Sequence, residues 1–94
     1  MEFEQREYLI SGGEQSLFCN WLSDMEKTSS IPTEGVMLAD MAEAIGIDGA
    51  RGVMTEWKRV GDEVSLSITE YDYDCEPCIM NIADHFGMEV TSVA

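Results

Sequence analysis

A chain of 94 residues with 45% hydrophobic content has room for one core and one domain, residues 1–94, and too much apolar material to stay unfolded. Nineteen Asp and Glu against five Lys and Arg give a formal net charge of −14, which repels phosphates and anionic lipids and argues against nucleic acid or a membrane surface as a direct ligand. No apolar run approaches the ~20 residues of a membrane span, Met1-Glu2-Phe3-Glu4 is acidic where a secretory leader would be basic, and three Cys, an odd number, suit a reducing compartment, so the expected location is the cytoplasm.

Phe3 to Ile10 predicts a strand, with Phe3, Gln5, Glu7 and Leu9 alternating with Glu4, Arg6, Tyr8 and Ile10. Ser11-Gly12-Gly13 breaks it. Glu14 to Lys27 predicts a helix, because Leu17, Phe18, Trp21, Leu22 and Met25 recur on one face. After the polar turn at Thr28–Pro32, Thr33 can cap a second helix with Val36, Met37, Met41, Ala44 and Ile45 on its buried side, ended by Gly46. Val53–Val60 and Val64–Asp72 predict a hairpin around Gly61-Asp62, a pair suited to a type II′ turn. That register sets Trp57 opposite Leu66 and Thr55 opposite Ile68, with Val64, Leu66 and Ile68 inward and Ser65, Ser67 and Thr69 outward. Asp74 predicts the N-cap of a helix from Cys75 to Phe86, with Pro77 tolerated in its first turn, and Gly87 stops it before a last strand from Met88 to Val93.

Counting the helix pair as one split crossover, the order is βαββαβ. The expected fold class is therefore α+β: a four-stranded, mostly antiparallel, ferredoxin-like sheet with the helices on one face and the other face open. Trp57, Leu66, Ile68, Trp21, Phe18, Ile82 and Phe86 are its expected core.

Cys75-Glu76-Pro77-Cys78 has the form of a redox pair opening a helix, where the helix N-terminus lowers a thiol pKa. Asp72, Asp74 and Glu76 oppose that effect, and sixteen residues after Cys78 leave no room for the rest of a thioredoxin-like fold. Structural zinc needs four ligands, usually as two pairs, and the remaining donors, Cys19 and His85, each stand alone. No metal, no cofactor and no required disulfide is expected. Leu38 to Val60 has a faint helix-turn-helix cadence, weakened by Gly49 and Gly52 and by few basic residues. No paired carboxylates in a defined setting, no nucleophile with a base and no phosphate loop can be read, so catalytic residues are not assigned and the chain is not expected to be an enzyme.

The excess charge is the remaining lead. A magnitude up to about 8 already keeps a small domain soluble, and this chain goes well beyond it. Asp62, Glu63, Glu70, Asp72, Asp74 and Glu76 form an acidic stretch with Tyr71 and Tyr73 interleaved. On a strand, Glu70, Asp72 and Asp74 would repeat at about 6.6 Å, near every second phosphate step of one DNA strand at about 3.4 Å each. Such a row suits an Arg- and Lys-lined groove, with the tyrosines as aromatic anchors. These eight residues are the expected partner-binding site.

In length, in its charge of −14, in lacking an enzymatic signature and in the acidic strand from Glu70 to Asp74, the chain resembles the small acidic inhibitors that phages and mobile elements direct against host defence, the anti-CRISPR proteins and anti-restriction DNA mimics. The resemblance implies a protein that occupies the basic surface of a nucleic-acid-binding host protein or complex. The alternative is a small regulatory or scaffold protein that binds a basic partner without displacing nucleic acid.

Overall fold

The clearest alternation in the sequence, Val64-Leu66-Ile68 against Ser65-Ser67-Thr69, forms the middle of a sheet. The computed structural model describes residues 3–28, 35–49, 51–71 and 75–93. In chain order these build β1 (Phe3–Ser11), α1 (Gln15–Thr28), β2 (Val36–Met37), α2 (Leu38–Ala44), β3 (Gly52–Val60), β4 (Glu63–Tyr71), α3 (Glu76–His85) and β5 (Glu89–Val93). The sheet runs β2-β3-β4-β1-β5 with every neighbouring pair antiparallel, so the protein is α+β, with a five-stranded open sheet and three helices among the described residues.

The expected four-stranded plan is corrected by the fifth strand. Val36 and Met37, expected on the buried side of the second helix, instead pair with Met54 and Val53 as β2. β-Branched Val36 is buried there at the sheet edge. Gly35, at φ 112°, lets the chain approach so closely that a Cβ would overlap the Met54 carbonyl oxygen. The helix is left with Leu38–Ala44, of which Leu38, Met41 and Ala42 are buried. The Thr33 cap lies outside the described residues. Gly52–Val60, where a helix-turn-helix would place its second helix, is strand β3, and that reading is overturned.

Register fixes which face is covered. Ile10, Tyr8, Arg6 and Glu4 of β1 stand opposite Val64, Leu66, Ile68 and Glu70 of β4, and Met54, Trp57 and Arg59 of β3 continue the same face. Tyr8, Ile10, Met54, Val64, Leu66 and Ile68 are fully buried against Phe18 and Leu22 of α1, Leu38 and Met41 of α2, and Ile79 and Ile82 of α3. Removing each such side chain from water contributes about 1.5–3 kcal/mol. The hairpin has the expected Trp57–Leu66 pair, but a bulge at Thr55 shifts the register, and Met54 rather than Thr55 faces Ile68. Of the expected core, Phe18, Leu66, Ile68 and Ile82 are buried, whereas Trp21, Trp57 and Phe86 are half-buried. Trp57 lies on β3, flanking the central strand, and its indole N–H donates to the Glu26 carboxylate of α1. Phe86 packs on Phe18 and on Trp21 with ring centroids 5.2 Å apart in each pair.

Two helix ends meet on the covered face. The Glu14 N–H donates to Phe86 O at 3.0 Å, so the start of α1 satisfies a carbonyl at the end of α3. Gly13 makes this possible, since at φ 49° a Cβ would overlap the Phe86 and Gly87 carbonyl oxygens. The expected Asp74 cap lies outside the described residues, and Cys75 occupies the N-cap position of α3.

Candidate functional site

The described residues of the expected site, Asp62, Glu63, Glu70, Tyr71 and Glu76, do not all come together. Asp62 and Glu63 lie at the turn end of β4, while Glu70 and Tyr71 lie at the other end, seven residues or roughly 23 Å along the strand. Asp72, Tyr73 and Asp74 lie outside the described residues. Tyr71 and Glu76 are half-exposed on either side of that segment.

Glu70 does not face solvent. It is 4% exposed and shares the helix-covered face with Val64, Leu66 and Ile68. Its carboxylate accepts a 2.5 Å hydrogen bond from the hydroxyl of Tyr8, itself fully buried, and the Arg6 Nε lies 3.6 Å away. Arg6 also donates to Glu4 at 3.2 Å. That bond first, and the Glu70 charge next, raise the Arg6 guanidinium above its ordinary pKa. A carboxylate on the inner face of a central strand is tolerated because it is paired and hydrogen-bonded. The carboxylate row expected at Glu70 is thus interrupted at its first member. The period-two pattern already carried this signal, since Val64, Leu66, Ile68 and Glu70 have one parity.

The uncovered face carries other carboxylates. On it Glu63 of β4 and Glu89 of β5 flank Ser11 of β1 in one cross-strand row, which places the two acids about 10 Å apart. Glu56 of β3 and Glu7 of β1 flank Ser67 four residues further along β4. Lys58 of β3 sits between these rows, opposite Ser65. Glu7 accepts from Ser65 at 2.6 Å, and Gln5 donates to Thr69 at 2.7 Å, so the buried Ser65 and Thr69 have side-chain partners on a face that no helix among the described residues covers. Glu7, Glu56 and Glu89 are acids that strand spacing alone does not gather, because β1, β3 and β5 come from distant parts of the chain. Both ion pairs between described residues are made by Arg6.

Cys75 and Cys78 are buried thiols and Cys19 is a half-buried one. The Cys75 thiol donates to Arg51 O at 3.3 Å and the Cys78 thiol to Asp48 O at 4.0 Å. Among the described residues no group of three or more His, Cys, Asp or Glu side chains is placed to hold a metal ion. No helix among them is long and apolar enough to cross a membrane.

Comparison with family models, with curated proteins and with solved structures gives no match for this chain.

Proposed function

We propose that this chain is a cytoplasmic, non-catalytic acidic binding protein that occupies the basic surface of a nucleic-acid-binding protein or complex, in the manner of a DNA mimic. The observation that carries this reading is the charge excess, 19 acids against 5 bases, on a fold in which Arg6 makes both ion pairs between described residues. Most of the carboxylates therefore have no cation of their own chain to neutralise them, and a surface rich in Arg and Lys is their natural complement. The fold reading that goes with it is a ferredoxin-like plan extended by the edge strand β2, since β5-β1-β4-β3 taken without β2 is a four-stranded antiparallel sheet.

Within this reading the contact residues are Tyr71, Asp72, Tyr73, Asp74 and Glu76, with the carboxylates of the uncovered sheet face beside them. Glu70 contributes indirectly, by fixing the end of β4 from inside. The test is capture of the partner followed by competition with its nucleic acid. Displacement of DNA or RNA is expected. A partner that still takes up nucleic acid at full affinity while bound would favour the scaffold reading. Charge reversal locates the surface: Asp72→Lys with Asp74→Lys should weaken binding more than Asp24→Lys with Asp84→Lys, on exposed positions of α1 and α3. Equal effects would mean that only net charge acts.

A further inference from the structure

The two cysteines that open α3 are arranged as a pair. Cys75 is the N-cap residue with φ −86° and ψ −3°, so its backbone already has the helical turn, and Cys78 follows three residues later. In helical geometry that spacing sets the two Cα atoms about 5 Å apart, within the ~4.4–6.8 Å that a disulfide spans. N-cap and N3 are also the positions close enough across the first turn for each side chain to reach the other's backbone N–H in a capping box. Cys75 makes no side-chain cap bond there.

Both thiols are instead turned onto one stretch of chain. Cys75 donates to Arg51 O and Cys78 to Asp48 O. Arg51 O also accepts from the Tyr71 N–H at 3.1 Å, so the same carbonyl joins the start of β3, the end of β4 and the start of α3. Packing at this point is tight: a Cβ on Gly52 would lie 2.9 Å from the Cys75 sulfur. A disulfide carries no hydrogen, so joining the two sulfurs removes both donors from this connection at once and draws the Cys75 sulfur toward Cys78.

We propose that Cys75 and Cys78 form a redox-sensitive clasp, which as two thiols holds the connection bearing Asp48 and Arg51 onto α3 and as a disulfide releases it. The oxidant is a low-molecular-weight disulfide such as oxidised glutathione. Cys78, 7% exposed against 0% for Cys75, is the more accessible of the two and reacts first. Its thiolate attacks one sulfur of the oxidant, forming a mixed disulfide and expelling one glutathione thiolate. Cys75 then attacks the Cys78 sulfur and expels the second. The protein loses two electrons and two protons, and one oxidised glutathione becomes two thiols. This inference is independent of the partner reading above.

The test uses the whole chain with Cys19→Ser, equilibrated in mixtures of reduced and oxidised glutathione and trapped with an alkylating agent. The expected product is a monomer two hydrogens lighter, with the loss mapped to the peptide containing Cys75 and Cys78 and reversed by dithiothreitol. Hydrogen exchange should then quicken at the Tyr71 amide and in the peptide covering residues 46–54, by roughly two- to tenfold for each bond lost. Cys75→Ser should stop at the mixed disulfide on Cys78. A persistent glutathione adduct in the parent protein, failure to oxidise at all, or a disulfide formed with exchange unchanged would each overturn the clasp. If Cys75→Ser does not fold, the exchange measurement on the parent protein decides alone.

Discussion

Tyr8→Phe removes one oxygen and no packing volume, which isolates the Tyr8–Glu70 hydrogen bond. The Tyr8 hydroxyl donates at 2.5 Å to a carboxylate that is 4% exposed, with Arg6 Nε at 3.6 Å as its cationic neighbour. Bonds to charged groups contribute about 1.5–3 kcal/mol, and a carboxylate left short of a donor in the interior costs at the upper part of that range. A loss of about 2 kcal/mol should lower Tm by roughly 8–16 °C in a domain of this size. Glu70→Leu should cost a similar amount by removing the acceptor of the Tyr8 hydroxyl. The double variant should recover much of the loss, because two apolar groups leave nothing unsatisfied. Urea unfolding of the four proteins, followed by Trp fluorescence, gives the coupling energy. A single-variant loss below about 0.5 kcal/mol, or strict additivity in the double variant, would show that Glu70 is hydrated and that the inward carboxylate is not held by Tyr8.

Gly13→Ala should destabilise by more than about 2 kcal/mol, since its Cβ would overlap the Phe86 and Gly87 carbonyl oxygens at φ 49°; thermal unfolding reads this, and a neutral result would refute the helix-end seam. Gly49→Ala should likewise unseat α2, whose Ala39 backbone lies where the new methyl would go, and should be seen as loss of protection at Leu38–Ala44. Trp57→Phe should leave the hairpin intact but free the Glu26 carboxylate, costing about 1 kcal/mol in chemical denaturation. Added salt should raise Tm, because screening lengths fall from ~30 Å at 0.01 M to ~10 Å at 0.1 M and relieve self-repulsion at a charge of −14; a flat response would mean that the carboxylates are already neutralised within the fold.

Local pattern was enough to read most elements. The Trp57–Leu66 pair, the turn at Gly61, the burial of Phe18 and Leu22 on α1 and the stop at Gly87 follow from spacing within a few residues, whereas Leu17, expected on the same face of α1, is exposed. The misses come from contacts between distant segments. Val36-Met37 has a helical neighbourhood in sequence, and only pairing with β3 makes it a strand. The Thr55 bulge leaves no mark in the alternation of β3, because Thr55, Glu56 and Lys58 are all exposed. Glu70 was misplaced by residue type against parity: its charge suggested solvent, while its position in the Val64-Leu66-Ile68 series pointed inward. For the candidate site the difficulty was greater, since Glu63 and Glu89 become neighbours across Ser11 only once β1 lies between β4 and β5.

That central seat of β1 has a consequence for how the chain is made. β1 ends at Ser11, and its partners are Glu63–Tyr71 on one side and Glu89–Val93 on the other. The first partner is complete only 60 residues after Ser11 (71 − 11 = 60). At translation rates of roughly 5–20 residues per second, that is about 3–12 s during which the first strand has no native neighbour to pair with. Its load of Glu4, Arg6 and Glu7 then acts as protection for the nascent chain, keeping an unpaired strand from pairing with its neighbours on a polysome before β4 arrives to claim it.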